Sequence, residues 1–134
     1  MEGFQGAKPP EYLVMERLSQ VYSMLADKNR LRILKLLEYK PMCVCELTYV
    51  LGIRQPSVSR HLRKLKETGL IDSRQEGYWS EYFINRRGDE YSRILMGILS
   101  GWINDDPIII EDIKKAGQAH RESLCNNQKS NNCT

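Results

Sequence analysis

The stretch that most constrains the fold of this chain is a basic, amphipathic segment, residues 56–68, which is followed by Gly69. Val58, Leu62 and Leu65 recur at the i, i+4, i+7 spacing that places three apolar side chains on one stripe of a helix. Proline in the first turn and glycine directly after the last turn are the usual start and stop of a helix. The sequence therefore predicts a short helix with an apolar back. Its front of serine and basic side chains suits the major groove of DNA.

The positive charge of the chain is concentrated in the same region. Residues 54–87 contain eight basic and four acidic side chains, a net charge of +4, whereas the whole 134-residue chain carries only +3. Such a local excess is the footprint expected for binding a polyanion. The hydrophobic fraction of 41% fits a soluble globular protein, and no apolar run reaches the roughly 20 residues that a membrane span needs. Because no signal peptide opens the sequence, we expect a cytoplasmic protein with no membrane partner.

The segments on either side of the basic helix complete a DNA-binding arrangement. A shorter helix is predicted over residues 43–51, and Gly52 ends it before the turn into the basic helix, which makes a helix-turn-helix. Two segments rich in β-forming residues, 70–74 and 79–84, flank Gly77 and predict a hairpin. A hairpin that directly follows a recognition helix is the wing of a winged helix-turn-helix. The predicted fold is therefore mainly α with a small β-hairpin.

Side chains on the front of the recognition helix and on the hairpin are the candidates for contacts with bases and phosphates. The alternatives are a merely solvated basic helix and a hairpin that only covers the core. The predicted DNA-binding residues are Gln55, Ser57, Ser59, Arg60, His61, Arg63, Lys64, Arg74 and Tyr78.

Two helices are expected before the helix-turn-helix. The first begins at Glu11 and keeps a helical pattern over about four turns. Asp27 is the expected N-cap of the second. Leucines lie on one side of this second helix, and we expect its basic residues, Lys35 included, on the other side.

The predicted domain organisation has three parts. Residues 1–10, with two glycines and two prolines, form a flexible N-terminal arm, and residues 11–103 form the DNA-binding and dimerisation domain. Residues 104–134 form a C-terminal helix and a mobile tail that contains cysteines. The helix expected over residues 89–103 carries more apolar side chains than a small core absorbs. Together with the first core helix it predicts a homodimer interface, which suits the reading of a palindromic operator in double-stranded DNA.

Two of the four cysteines, Cys43 and Cys45, are separated by one residue at the start of the helix that supports the recognition helix. Thiolates prefer soft ions, so the pair is a candidate site for a thiophilic ion, although cysteine is also a common small core residue. Residues two apart on a regular helix lie about 200° apart around its axis. Both sulfurs can then bind one ion only if the first turn unwinds. Such a change would link ion binding to DNA affinity.

These motifs, taken in this order, resemble the ArsR/SmtB family of winged-helix metal sensors. The resemblance spans roughly residues 18–99, and it implies a dimeric repressor that leaves its operator when an ion binds. The Cys-Val-Cys portion is the pattern of members that sense arsenite, antimonite or, with more thiols, cadmium and lead. The matching segments are residues 43–47 (CVCEL), 55–62 (QPSVSRHL), 65–71 (LKETGLI) and 74–82 (RQEGYWSEY).

The chain departs from the pattern of arsenic sensors at the third thiol. The resembling sensors carry a cysteine three residues after the second one, where this chain has Thr48, and residues 1–42 contain no cysteine. The remaining donors are Cys125 and Cys133. We favour Cys125 because a shorter tether loses less entropy on closure, although neither tail cysteine is required to take part. The expected ion ligands are therefore Cys43, Cys45 and Cys125. Arsenite is the favoured effector, followed by antimonite, cadmium or lead, and no organic cofactor is expected.

Two alternatives to a metal(loid)-responsive repressor stay open. Oxidation of Cys43 or Cys45, for example in a bond with a tail cysteine, would distort the same helix and make a thiol redox-sensing regulator of the same fold. The other alternative is a thiol metal-binding protein that does not act on DNA, against which the charge of residues 54–87 counts. No enzyme is expected, since the sequence shows no nucleophile–base pair, paired carboxylates or glycine-rich phosphate loop.

Overall fold

The structure, a computed structural model, describes residues 11–125, which form a mainly helical fold with one small sheet. The expected N-terminal arm and the tail from residue 126 onward, with Cys133, lie outside the described residues. In chain order, the elements are α1 (Glu11–Ser23), α2 (Lys28–Tyr39), β1 (Met42–Cys43), α3 (Val44–Leu51), α4 (Gln55–Thr68), β2 (Ile71–Glu76), β3 (Trp79–Ile84), α5 (Glu90–Leu99), α6 (Pro107–Gln118) and α7 (Arg121–Cys125).

The recognition helix forms as the sequence predicts. α4 has Pro56 in its first turn, and Gly69 follows it at φ +89°, a left-handed position that glycine adopts without steric cost. Val58, Leu62 and Leu65 are all buried in the main core, where they meet α2 and α3. The apolar stripe therefore packs α4 against the core, and the opposite face of α4 is accessible to a partner.

The wing is confirmed, but it belongs to a three-stranded antiparallel sheet in the order β1-β3-β2. β2 and β3 pair from Ile71 opposite Ile84 to Glu76 opposite Trp79. Gly77, at φ +62°, opens the two-residue turn between them, as the turn of a tight hairpin requires. β1 adds the pair Cys43–Glu81 on the other side of β3. The sequence did not predict this third strand.

α5 is shorter than the helix expected over residues 89–103. Asp89 is its N-cap and accepts a hydrogen bond from the Ser92 N–H, and the helix ends at Leu99. Ile94, Ile98 and Trp102 are exposed, with Ile94 and Trp102 each 58% accessible. The surplus of apolar side chains over what the core absorbs, expected from the sequence, is present on this surface.

The C-terminal helix packs onto the winged helix itself. α6 contacts α2 and α3, and Ala116 is fully buried in the main core. Two hydrogen bonds of 2.8 Å join the Arg32 guanidinium to the buried Asp112 carboxylate. α6 stops at Gln118, and a separate short helix, α7, continues the chain to Cys125.

Lys35 of α2 is buried, unlike most lysines. Its side chain is only 3% exposed, and its Nζ donates to the Leu99 carbonyl at 3.0 Å and pairs with Glu38 at 2.8 Å. The carbonyls at a helix C-terminus carry partial negative charge, which compensates a buried ammonium. Lys35, on α2, thus donates a hydrogen bond to the carbonyl of the last residue of α5.

No helix within residues 11–125 combines the length and the apolar character needed to cross a membrane.

Candidate thiol site and DNA-recognition surface

The front of α4 presents the predicted polar side chains to solvent. Arg60, Arg63 and Lys64 are exposed, and Gln55, Ser57 and Ser59 are partly exposed. The Arg60 guanidinium donates a hydrogen bond to the Ser57 hydroxyl at 3.2 Å. The structure therefore brings most of the predicted DNA-binding residues of the helix together on accessible surface, in reach of a groove.

His61 takes a different position from the other candidates on α4. Its side chain is 16% exposed, and its Nε2 lies 4.0 Å from Asp27 Oδ1 at the N-cap of α2. Nδ1 is buried and has no hydrogen-bond partner among the described residues. Burial lowers the pKa of His61, and the Asp27 carboxylate only partly opposes this. A DNA contact of His61 stays a prediction.

The wing holds its two candidate residues in different ways. Arg74 lies across from Glu81 on β3, bonds to it at 2.7 Å and stacks over the Phe83 ring at 4.8 Å. Tyr78, at the tip of the hairpin, is 75% exposed. The ion pair with Glu81 on β3 thus holds the Arg74 side chain in place, whereas the exposed Tyr78 side chain is accessible to a binding partner.

Cys43 lies outside α3, which corrects the sequence-based expectation. It is the N-cap of the helix, in extended conformation at φ −92° and ψ 171°, because its backbone pairs with β3. Only Cys45 lies in the helix, so the argument from a 200° separation does not apply to this pair. Both cysteines belong to one small cluster, separate from the main core, against which Trp79 and Leu124 pack.

The two cysteines differ in their covalent bonding. Cys43 is a fully buried thiol, and burial raises its pKa to about 11, with the Glu46 carboxylate adding to the shift and Arg121 opposing it. Cys45 is disulfide-bonded, so the two are not bonded to each other. The side chains of Cys125 and Cys133, the other cysteines of the chain, are outside the described part of the structure.

A buried acidic residue and an arginine from the far end of the chain surround Cys43. Glu46 Oε1 accepts the Cys43 N–H at 2.9 Å, which satisfies a donor at the start of the helix as in a capping box. Arg121 Nη2 donates to Glu46 Oε1 at 3.2 Å and to Glu81 Oε2 at 2.9 Å, and its guanidinium lies 5.6 Å from the Trp79 ring centre. Sequence reasoning missed both residues. The three-residue spacing from the N-cap was a signal for Glu46, but no local signal exists for Arg121.

A cavity of about 420 Å³ lies beside Cys45. It reaches from α7 to the start of the recognition helix, so Cys45 and Gln55 border the same space. Thr48 also borders it, and its buried Oγ1 has no hydrogen-bond partner among the described residues. The full lining is Cys45, Thr48, Tyr49, Ile53, Arg54, Gln55 and Leu124.

The described side chains do not by themselves complete a metal site: among them, no three Cys, His, Asp or Glu residues form a group that could hold a metal ion. Leu124 packs on the Cys43–Cys45 cluster, and α7 contacts α3. The predicted third ligand, Cys125, directly follows Leu124. The structure therefore unites two of the three predicted ligands and leaves the third as a prediction.

A recognition helix that packs on the core and is followed by a β-hairpin wing defines a winged helix-turn-helix DNA-binding protein. The family model described as "Bacterial regulatory protein, arsR family" matches residues 27–73. Arsenic resistance transcriptional regulator ArsR1 of Pseudomonas putida is 31% identical over 104 residues, which cover 74% of this chain and 81% of that protein. This chain thus belongs to the ArsR family, whose members are DNA-binding transcriptional regulators rather than enzymes. The match confirms the family predicted from the sequence motifs.

Two further comparisons agree with this assignment. The arsenical resistance operon repressor of Escherichia coli is 45% identical over 64 residues, covering 47% of this chain and 55% of that protein. Among solved structures, the homodimeric winged helix-turn-helix DNA-binding domain Mb0332 of Mycobacterium bovis superposes with a TM-score of 0.59. It has 27% identity, and the match covers 72% of this chain and 86% of that one. The predicted fold class is confirmed.

Proposed function

We propose that this protein is a dimeric repressor that leaves its operator when a thiophilic ion binds Cys43, Cys45 and Cys125. The observation that carries the proposal is the position of Cys43 and Cys45, which can bind an ion together once Cys45 is reduced. Cys43 and Cys45 share one cluster at the start of α3, the helix that packs on the recognition helix. A ligand that draws these sulfurs together acts directly on the support of α4.

Arsenite is the effector that we favour, ahead of antimonite, cadmium and lead. Trivalent arsenic takes three sulfur ligands, and thiolates bind such soft ions in preference to hard ones. α7 supplies the third sulfur in this proposal, since Leu124 already packs on the pair and Cys125 is the next residue. The names of the Pseudomonas putida and Escherichia coli relatives, both of arsenic resistance, support this choice.

On the DNA side, we propose that the exposed face of α4 enters the major groove of a palindromic operator and that the wing contacts the backbone. The exposed basic residues of α4 provide phosphate and base contacts, and Tyr78 at the hairpin tip extends this surface. The protein must reach its operator DNA, so we place it in the cytoplasm.

Dimerisation is proposed to use α1 and α5. Arg17 joins the two helices through an ion pair with Asp89 and a 3.0 Å hydrogen bond to Ser92, so they form one surface. Ile94, Ile98 and Trp102 are exposed on the α5 side of it, and a broad apolar patch of this kind usually marks an interface.

Replacing Ile98 with glutamate tests this interface. A charge at the centre of an apolar contact is costly to bury, so we expect Ile98→Glu to sediment with the mass of one 15.6 kDa chain at micromolar concentration, and the parent with twice that mass. Gln118→Glu, the same charge change at an exposed site of α6, should sediment like the parent. A parent protein that sediments as a monomer would contradict the proposal.

The proposed effector is tested by titrating arsenite into reduced protein bound to a labelled promoter fragment. We expect micromolar arsenite to release the parent, whereas Cys43→Ser, Cys45→Ser and Cys125→Ser stay bound at arsenite concentrations at least about tenfold higher, since each loses one of three ligands. Cys133→Ser should behave like the parent. Arg60→Ala is the control for the DNA side. It should weaken DNA binding by about 1–3 kcal/mol and still release the DNA with micromolar arsenite, since its three sulfur ligands are intact. Continued binding of the parent at millimolar arsenite would refute the proposal.

One observation favours a redox trigger as the second candidate. Cys45 is disulfide-bonded while Cys43, two residues away, is a thiol. Oxidation and reduction at Cys45 would act on the same helix as an ion does. The titration distinguishes the two functions: if diamide releases the DNA and arsenite does not, the protein is a thiol redox sensor.

A further inference from the structure

Arg121 stands at the junction of three elements. From its place at the start of α7, its guanidinium donates to Glu46 on α3 at 3.2 Å and to Glu81 on β3 at 2.9 Å. It also lies 5.6 Å from the ring centre of Trp79, the first residue of β3. The planar, rigid guanidinium of Arg121 therefore connects α7 to α3, the helix that supports the recognition helix, and to β3, the central strand of the sheet.

Each of the two carboxylates that accept from Arg121 also makes a second contact. The second contact of Glu46 is with Cys43, and that of Glu81 is with Arg74 on the wing. Glu46 Oε1 accepts the Cys43 N–H at 2.9 Å, which fixes the backbone that carries the thiol. Glu81 accepts the Arg74 guanidinium at 2.7 Å through its other oxygen. Burial would raise the pKa of Glu81, but hydrogen bonds from Arg121 and Arg74 outweigh it and lower the pKa, so this carboxylate is charged at neutral pH.

We propose that Arg121 is the positioning residue that couples the Cys43 site to the wing. This inference rests on the proposed function. A ligand at Cys43 pulls the N-cap backbone away from Glu46, and the freed carboxylate shifts the guanidinium that it shares with Glu81. Arg74 then loses its fixed partner. Charge-assisted hydrogen bonds of this kind depend strongly on geometry, so a small movement at one end changes the other.

Because coupling between two sites is reciprocal, it is measurable from the DNA side without any ion. DNA that holds the wing in place should also hold Glu46 and the Cys43 backbone, and should slow the opening that exposes the buried Cys43 thiol. The experiment measures, by mass spectrometry, the rate at which N-ethylmaleimide modifies Cys43 in the reduced full chain. It uses a duplex selected for binding from a random library, at a concentration that saturates each variant.

We expect saturating duplex to slow the modification of Cys43 at least about fivefold in the parent. In Arg121→Gln the reaction should be faster without DNA, and the effect of DNA should fall below about twofold. Lys114→Gln removes the same charge from an exposed site on α6 and should behave like the parent. A merely structural role of Arg121 would raise the basal rate but leave the DNA effect intact.

The inference is overturned if DNA slows the reaction equally in the parent and in Arg121→Gln, or if it has no effect in the parent. Neither outcome depends on arsenite. A failure of the arsenite titration with an intact DNA effect would therefore remove the proposed effector and leave the coupling residue in place.

Discussion

Replacing Thr48 with cysteine is expected to make the arsenite response independent of the C-terminal tail. Thr48 lies one turn after Cys45, on the same face of α3, and both border the same cavity. Its buried Oγ1 has no hydrogen-bond partner among the described residues, so no hydrogen bond to them is lost when a thiol replaces it. The new sulfur would supply the third ligand from within the helix.

The measurement is the arsenite midpoint for DNA release in a Cys125→Ser background. Thr48→Cys in this background should lower the midpoint at least about tenfold, equivalent to about 1.4 kcal/mol. Thr48→Ser, which keeps a small polar side chain but adds no sulfur, should leave the midpoint unchanged. If the cysteine and serine variants release DNA at the same concentration, Thr48 does not face the ion site.

The largest loss of stability is expected from Leu62→Ala. Leu62 is 1% exposed and belongs to the stripe by which α4 is seated on α2 and α3. Truncating a buried leucine removes its transfer free energy and leaves a cavity, at a cost of about 2–5 kcal/mol. A domain of this size has a free energy of unfolding of about 5–15 kcal/mol, so the variant should lose a large share of it.

Urea unfolding followed by circular dichroism measures this loss. The matched control is Arg63→Ala, the next residue along α4, whose side chain is exposed and whose loss should change stability by no more than about 0.5 kcal/mol. Leu62→Ala therefore tests the packing of α4 on the core, whereas Arg63→Ala removes only an exposed side chain that is predicted to contact DNA. Equal unfolding midpoints in the two variants would show that the apolar stripe does not hold α4.

The recognition helix was predictable because its signals are local. The i, i+4, i+7 stripe and the glycine stop lie within the segment itself, and the hairpin around Gly77 has the same advantage. β1 was not predictable, because two residues show no strand pattern and their partners on β3 lie about 40 positions away. The same long-range pairing removes Cys43 from the helix. The burial of Lys35 was not predictable for a related reason, because its hydrogen-bond partner, the Leu99 carbonyl, belongs to another helix.

The thiol pair itself was visible in the sequence, whereas its surroundings were not. Arg121 is separated by 75 positions from Glu46 and by 40 from Glu81, so only tertiary structure brings these charges together. The capping-box spacing from Cys43 to Glu46 was the one local signal. The break between α6 and α7, which turns the chain back over the cysteines, carries no strong sequence mark either.

The place of Cys43 as the N-cap of α3 has a consequence for how the chain balances stability against chemistry. Serine, threonine, aspartate and asparagine are the residues that best start a helix, because their oxygens accept the first N–H groups. Sulfur is a weak acceptor, so the capping hydrogen bond alone would favour serine at this position. The chain thus has a weaker capping acceptor at the start of α3 than an oxygen would provide, and has a sulfur there instead. Cys43→Ser should accordingly keep the start of α3, so the loss of the arsenite response in this variant is expected in a folded protein.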